Sequence, residues 1–312
     1  MKKRKKIMGK NSEYYIEQAA IKKAKVKELK KQLPRYTHTF ISQCELDYQP
    51  NTVIAYASDL ITFFEYIIEK NPLYRNKQTK DVSEETLENL TFEDINDYQA
   101  YLSYNDGDSF HNSGQTGIRR KMAALRNFYA FMNKNEYLHN NPTIRAATGR
   151  RVKQDAIIRM DSDEVHDFMK CIETTDLPSK RAKSACGKTL LRDIAITTLM
   201  LNTGIRVSEC VGLDLDDINF AEKTITIVRK GGATSVLYFS EDVKNALTDY
   251  ILHERNTYLG DDKDRALFIS MAHRRMTARS IERMVKKFSV SLMSLLVRLL
   301  ISSCFSRLLI SV

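Results

Sequence analysis

The chain has 312 residues, of which 43% are hydrophobic and 28% charged, a composition typical of folded proteins and long enough for two domains. This composition excludes a chain that is disordered throughout. The five cysteines stand far apart, without the paired spacing of a zinc site, and the basic N-terminus lacks the apolar run of a secretion signal. We therefore expect a reduced, cytoplasmic protein with no cofactor and no structural metal.

The formal net charge of +10 is concentrated at the start of the chain. Residues 1–31 hold twelve Lys and Arg against three Glu, whereas the other 281 residues carry 37 basic and 36 acidic side chains. Within that remainder, residues 117–159 hold ten basic and two acidic side chains, and residues 81–97 hold seven acids and no base. Such polarity suits a chain that turns one face to a polyanion, although a basic stretch can equally be a solvated surface.

The first half of the chain predicts a basic arm followed by a helical domain. Residues 1–34 are rich in lysine and are expected to be either helical or disordered. They would add a salt-dependent, non-specific attraction to a polyanion. In the segment PNTVIAYASDLITFFEYIIEK, apolar side chains recur at helical spacing: Val53, Tyr56, Leu60, Phe63, Phe64 and Ile67. Thr91 and Asp94 have the spacing of a capping box, and TGIRRKMAALRNFYAFMNKN repeats the helical period. The helical domain is predicted over residues 35–142.

The second half predicts a mixed domain over residues 160–288, joined by a basic linker at residues 143–159. DSDEVHDFMKCIE and LLRDIAITTLMLNTG have helical patterns, and Gly204 is a candidate C-cap. VGLDLDDINF, TITIVRKGG and TSVLYFS predict three short antiparallel strands, followed by helices in EDVKNALTDYILHER and TARSIERMVKKFS. The predicted fold class is mainly α with a small antiparallel sheet.

One segment carries a family resemblance. LMLNTGIRVSECVGLDLDDINF, followed by TITIVRKGGATSVLYFS, resembles the tyrosine site-specific recombinases of the phage integrase family, in which a helix ends in T-G-[LI]-R-x-S-E and leads to a hairpin lysine. The resemblance covers about residues 36–288 and is nearest to Xer-type resolvases and conjugative-transposon integrases. It implies an α-helical core-binding domain and an α+β catalytic domain that clamp double-stranded DNA, within a homotetramer on two DNA sites.

The resemblance also implies roles for individual residues. These recombinases attack a phosphodiester with a tyrosine hydroxyl, form a 3′-phosphotyrosine intermediate and use no metal. Arg206 then binds the phosphate, Glu209 orients Arg206, and Lys230 protonates the departing 5′-oxygen, with Arg229 as the alternative for that last role. A planar guanidinium suits this task because it can bind two phosphate oxygens at once. Taken singly, an Arg-x-x-Glu pair can equally be a surface ion pair and a lysine beside glycines a turn residue.

Seven other basic side chains are candidate contacts to DNA phosphates, or alternatively solvated surface: Arg119, Arg120, Lys121, Arg126, Arg150, Arg151 and Lys153. Phosphate contacts position a protein on DNA without reading its sequence. No association with a membrane is expected.

The chain departs from the family pattern after residue 288. Residues 289–312 hold seven leucines, seven serines and two arginines, with no acidic residue and no lysine. Three explanations remain open for this tail: an out-of-frame translation product, a membrane anchor, or a native amphipathic helix that packs on the domain or on a neighbouring protomer. Arg298 argues against the anchor, because an arginine at the centre of a bilayer costs about 2.5–3.5 kcal/mol.

The tyrosine nucleophile of the family has no counterpart after residue 258 of this sequence. The last tyrosine is Tyr258, the last histidine is His273, and no H-x-x-R motif occurs anywhere in the chain. The catalytic domain is therefore predicted to be incomplete. Two functions follow: a recombinase that cuts and rejoins DNA, or a non-catalytic protein that has kept only the DNA clamp. A covalent protein–DNA adduct would distinguish them.

Overall fold

The computed structural model describes residues 13–103, 114–149, 160–174, 184, 186–229, 232–259 and 265–291. The chain forms two compact units, which we call the helical unit (Ile16–Gln154) and the mixed unit (Met1–Tyr15 with Asp155–Val312). Each unit contains a hydrophobic core of its own. Residues 150–159 lie outside the described residues, so the limits predicted for the linker stay a prediction.

Helices make up the helical unit. The α-helices are α1 (Glu13–Lys30, of which the first three residues belong to the mixed unit), α2 (Thr37–Asp47), α3 (Pro50–Lys70), α4 (Glu84–Glu88), α5 (Phe92–Ser103) and α6 (Gln115–Lys134). Short 3-10 helices lie at Pro72–Tyr74, Thr79–Asp81 and Pro142–Ile144.

Helix α3 buries the stripe that its sequence predicts. Five of its six residues are buried, namely Val53, Leu60, Phe63, Phe64 and Ile67, whereas Tyr56 is partly buried and packs against the same core. Helix α3 packs against α2 and α6. Because these positions recur every three or four residues, they lie along one side of the helix and cover the core together. The pattern thus accounts for the central helix of this unit.

The capping box predicted before α5 is confirmed. The Thr91 backbone N–H donates to the Asp94 carboxylate at 2.8 Å, and the Asp94 N–H donates to the Thr91 hydroxyl at 3.3 Å. These two bonds satisfy backbone donors that the first turn of a helix leaves unpaired.

The basic segment before Pro34 is a helix over its described part. Its lysines lie on α1, whereas Val26, Leu29 and Leu33 are buried in the core of the helical unit. The sequence was compatible with either a helix or a disordered arm. The structure shows a packed helix, because the apolar residues three to four positions apart lie on one side and enter the core. Residues 1–12 lie outside the described residues.

The mixed unit combines helices with one sheet. Its elements are α7 (Ser162–Glu173), α8 (Leu190–Thr203), α9 (Val207–Cys210), β1 (Ile218–Asn219), β2 (Thr224–Val228), β3 (Thr234–Tyr238), α10 (Glu241–Asp249) and α11 (Ala278–Ser291). Irregular helical turns occupy Leu215–Asp217, Tyr250–Glu254 and Arg255–Tyr258.

Gly204 ends helix α8, as predicted. Its φ of 64° is left-handed, and its N–H donates to the Met200 carbonyl at 3.1 Å. A left-handed residue turns the chain sharply out of the helix, and glycine adopts this conformation without steric cost. The next residues, Ile205 and Arg206, therefore leave the axis of α8 at once.

The three strands form an antiparallel sheet in the order β1-β2-β3. Ile225 pairs with Leu237 and Ile227 with Ser235, and both isoleucines of β2 are buried. The alternation of buried and half-buried residues along β2 places one face of the sheet on the core.

The first strand is shorter than the sequence predicted. VGLDLDDINF was expected to be extended, but only Ile218–Asn219 pairs with β2, and a 3-10 turn precedes it. The Asp214 backbone N–H donates to the Asp217 carboxylate at 2.9 Å. Because aspartate side chains bind nearby backbone groups, they compete with strand pairing at this point.

Helix α11 continues into the segment predicted as an unrelated tail. It runs to Ser291, and the buried Ser289 donates its hydroxyl to the Lys286 carbonyl at 3.0 Å. Residues 292–312 lie outside the described residues. The three explanations of the tail therefore stay predictions. Within the described parts of the chain, no helix combines the length and the apolar character needed to span a bilayer.

Candidate active site

The motif T-G-I-R-V-S-E places Arg206 at the head of a short helix. Arg206 is the N-cap of the four-residue helix α9, immediately after the turn at Gly204. Its backbone N–H donates to the Glu209 carboxylate at 3.1 Å, and its guanidinium Nη1 donates to the same group at 3.0 Å. Glu209 thus fixes both the backbone and the side chain of Arg206.

A second guanidinium binds the same carboxylate. Arg229 Nη1 donates to Glu209 Oε2 at 3.1 Å, whereas Arg206 Nη1 donates to Oε1. The Glu209 side chain is 3% exposed, but those of Arg206 and Arg229 are 37% and 31% exposed. We call these three residues the Arg–Glu–Arg cluster. Its anion is buried, and each of its two cations reaches the surface of the mixed unit.

The sheet places Arg229 in this cluster. Arg229 follows the last residue of β2, and its N–H donates to the Ala233 carbonyl at 2.8 Å across the hairpin. The Gly232 N–H donates back to the Arg229 carbonyl at 2.8 Å, and Gly232 has a φ of 90°. Lys230, the predicted general acid, comes next in the chain but lies outside the described residues.

Tyr15 is a neighbour of the site that the sequence did not indicate. A small cavity of the mixed unit is lined by Tyr15, Glu209, Gly212, Leu213, Asp217, Thr226, Ile227 and Val228. A side chain at Gly212 would collide with the Tyr15 hydroxyl, so this glycine makes room for the ring. Burial raises the pKa of Tyr15 to about 12, and the charges of Asp217 and Glu209 act in the same direction. The hydroxyl is therefore neutral at physiological pH.

Arg275 supports the backbone beside the site. Its Nη1 donates to the carbonyls of Val211 and Leu213 at 3.0 and 2.9 Å, and its Nη2 donates to Asp214. The guanidinium also lies 4.5 Å from the centre of the Tyr14 ring. Arg275, two residues after the last histidine, thus has a structural task.

The basic residues predicted on α6 differ in their surroundings. Asp59 of α3 is buried and binds both Arg120 and Lys121. Arg126 donates to the Ala147 carbonyl at 3.0 Å. Arg119 is exposed and has no hydrogen bond or ion pair among the described residues. The ion pairs hold Arg120 and Lys121 in place, while 48% of the Arg120 side chain remains exposed.

The other predicted contacts, Arg150, Arg151 and Lys153, lie outside the described residues. Where the chain is described, no group of three His, Cys, Asp or Glu side chains is placed to hold a metal ion. The four cysteines described, at positions 44, 171, 186 and 210, are free and buried.

Solved structures with a similar fold are recombinases. The structure of XerH bound to palindromic difH substrate, a post-cleavage complex, matches with a TM-score of 0.52 and 18% identity over 80% of this chain and 68% of that chain. A lambda integrase (75–356) dimer bound to a COC' core site matches with a TM-score of 0.52 and 14% identity over 82% of each chain. At this level of identity the likeness concerns the fold, which is that of tyrosine recombinases.

Sequence comparison gives the family. Residues 158–292 match the model of the phage integrase family. Tyrosine recombinase XerS of Streptococcus mutans is 30% identical over an alignment of 290 residues, which covers 85% of this chain and 81% of that protein. XerS of Streptococcus equi subsp. zooepidemicus (strain H70) is 30% identical over an alignment of 295 residues, which covers 86% of this chain and 82% of that protein. The chain belongs to the phage integrase family of tyrosine recombinases, whose role is site-specific DNA recombination.

Proposed function

We propose that this chain acts in site-specific recombination by binding double-stranded DNA and holding one backbone phosphate on Arg206. The arrangement around Glu209 is the observation that carries the proposal. A buried carboxylate fixes Arg206 at the end of a sharp turn and leaves more than a third of its side chain exposed. A guanidinium held in this way meets an anion without first losing conformational freedom.

Each residue of the motif has a chemical task in this proposal. Attack on a phosphodiester builds negative charge on the phosphate oxygens, and a guanidinium stabilises that charge because it stays protonated at any physiological pH. Glu209 orients Arg206 and remains away from the DNA. Lys230, beside the hairpin glycines, protonates the departing 5′-oxygen, a step that requires an acid that can lose its proton.

The helical unit supplies contacts to the DNA backbone in the same proposal. Arg119, Arg120, Lys121 and Arg126 come from α6, and Arg150, Arg151 and Lys153 follow it in the chain. Contacts from both units would clamp the duplex, and four protomers would assemble on two sites. A cytoplasmic location follows, since the bacterial relatives are DNA recombinases and the DNA of bacteria lies in the cytoplasm.

Cleavage by these 312 residues alone is not part of the proposal. The chain contains no H-x-x-R motif and no tyrosine after Tyr258. The Tyr258 hydroxyl donates to the Lys188 carbonyl, and burial raises the pKa of this tyrosine. Since no tyrosine follows in these residues and the Tyr258 hydroxyl is bound to a carbonyl of the protein, we expect the chain to bind DNA without forming a covalent link.

Selection from a pool of random-sequence duplexes tests the proposal. The bound duplexes are recovered, and the affinity of the chain for the best of them is measured at several salt concentrations. We expect the affinity to fall steeply with salt. In Arg206→Gln the negative slope of log K against log salt should be smaller in magnitude by about 0.9, since one phosphate contact is lost. A nicked form of the same duplex should give no adduct that survives denaturation.

The outcomes are distinct. A wild-type chain that binds no duplex, or binds without salt dependence, would contradict the proposed function. A protein–DNA adduct would leave DNA binding intact and overturn the expected inactivity, and mass spectrometry of the adduct would then identify the tyrosine.

A further inference from the structure

The Arg–Glu–Arg cluster contains one more cation than its anion can neutralise. Arg206 and Arg229 are both positive, and Glu209 is the carboxylate that they share. Each guanidinium uses one nitrogen, Nη1, for its side-chain bond to Glu209. Within the described residues, neither guanidinium has another side-chain acceptor. The cluster is thus left with a positive charge and with N–H donors that face solvent.

Such donors form a site for an anion with several oxygens. A guanidinium carries five N–H groups in one plane, so a single bond to Glu209 leaves most of them free. The two side chains are about equally exposed, at 37% and 31%. Because their Nη1 atoms bind the two oxygens of one carboxylate, both guanidinium groups lie next to Glu209 and are close enough to act on the same stretch of DNA backbone.

The chemistry of Arg229 limits its task. The resemblance to recombinases left it as an alternative to Lys230 for the proton donor. A guanidinium holds its protons too tightly for that role, whereas its fixed charge and planar shape suit phosphate binding. Its bond to the buried Glu209 also restrains its position, as the same bond restrains Arg206.

We infer that Arg229 is a second phosphate-binding residue, which contacts the DNA backbone beside Arg206. This inference rests on the proposed function, because it assumes that the cluster meets DNA. In this inference Glu209 orients two phosphate-binding arginines, Arg206 and Arg229, instead of one. It also provides a second guanidinium at the phosphate in a chain whose sequence contains no H-x-x-R motif.

Salt dependence of DNA binding tests the inference, with the selected duplex as the probe. Arg229→Gln should reduce the magnitude of the negative slope of log K against log salt by about 0.9, as Arg206→Gln does, because each removes one phosphate contact. Arg229→Lys should keep the slope, because it keeps the charge. Arg265→Gln is the matched control: Arg265 belongs to the same unit, is 65% exposed and pairs with Asp216, so its slope should equal that of the wild type.

The results separate this inference from the proposed function. If Arg206→Gln reduces the magnitude of the slope and Arg229→Gln does not, Arg229 only positions Glu209 and the inference is wrong. If the wild-type chain does not bind the duplex, the proposed function itself fails.

A measurement on the wild-type chain covers the case in which Arg229→Gln does not fold. The chain is labelled with nitrogen-15 at arginine, and the side-chain N–H signal of Arg229 is assigned with Arg229→Lys. Addition of the duplex should shift the signals of Arg206 and Arg229 together. A shift of the Arg206 signal alone would overturn the inference.

Discussion

Glu209 is a buried charge whose cost is offset by two cations. A carboxylate removed from water is unfavourable unless charged donors replace the lost hydration. Here the donors are the backbone N–H of Arg206 and the guanidinium groups of Arg206 and Arg229. Removal of its charge would leave two neighbouring positive guanidinium groups without the anion between them. Glu209 is therefore important to stability as well as to the positions of Arg206 and Arg229.

We predict that Glu209→Gln lowers the free energy of unfolding by about 1.5–3 kcal/mol, the range for a lost hydrogen bond to a charged group. Glu241→Gln is the control, because Glu241 also binds two cations, Lys223 and Lys244, but is exposed to solvent. Water screens that interaction, so its loss should cost less. Urea unfolding of both variants measures the difference, and equal losses would show that the burial of Glu209 has no energetic role.

The turn between α8 and α9 connects helix geometry to the site. Helix α8 packs in the core against α7 and α10, and Gly204 ends it two residues before Arg206. The position of Arg206 therefore depends on where this helix stops. A residue that resists the left-handed conformation would displace the cluster even though it touches none of its members.

We predict that Gly204→Ala lowers the free energy of unfolding by about 1–2 kcal/mol, the cost of a left-handed conformation for a residue with a side chain. It should also weaken DNA binding, because Arg206 shifts. Gly187→Ala is the matched control: Gly187 lies in a helical segment, has no left-handed φ and has open space where a Cβ would stand. That change should be neutral or stabilising by up to about 1 kcal/mol. Urea unfolding and duplex binding report on both variants, and similar losses in the two would refute a specific role of Gly204.

The described residues of the molecule form two hydrophobic cores that share no residue. Leu60, 1% exposed, belongs to the core of the helical unit, and Leu199, 0% exposed, to that of the mixed unit. A core that is complete within its own unit can unfold as one cooperative step, so a chain with two such cores departs from two-state unfolding.

We predict two thermal transitions, each sensitive to one core. Leu60→Ala and Leu199→Ala should each cost about 2–5 kcal/mol, because a buried leucine leaves a cavity when truncated. Differential scanning calorimetry should show that each variant lowers the midpoint of one transition and leaves the other unchanged. A single transition lowered by both variants would mean that the two cores unfold together.

Features that depend on residues close together in the chain can be predicted from the sequence alone. The apolar stripe of α3, the capping box at Thr91 and the end of α8 at Gly204 follow from residues a few positions apart, where helix geometry alone decides which groups meet. The T-G-I-R-V-S-E motif belongs to the same class, because Arg206 and Glu209 are three residues apart.

The distant residues that complete the site become apparent from the packing of the helices and strands. Arg229 is twenty residues from Glu209 and reaches it because the sheet brings the end of β2 to α9. Tyr15 contacts Gly212 although the two are far apart in the sequence. The hydrogen bond between Asp214 and Asp217 makes β1 shorter than the sequence pattern predicts. Contacts of this kind depend on how whole elements pack against each other, and the periodicity of a single segment contains no information about its packing partners.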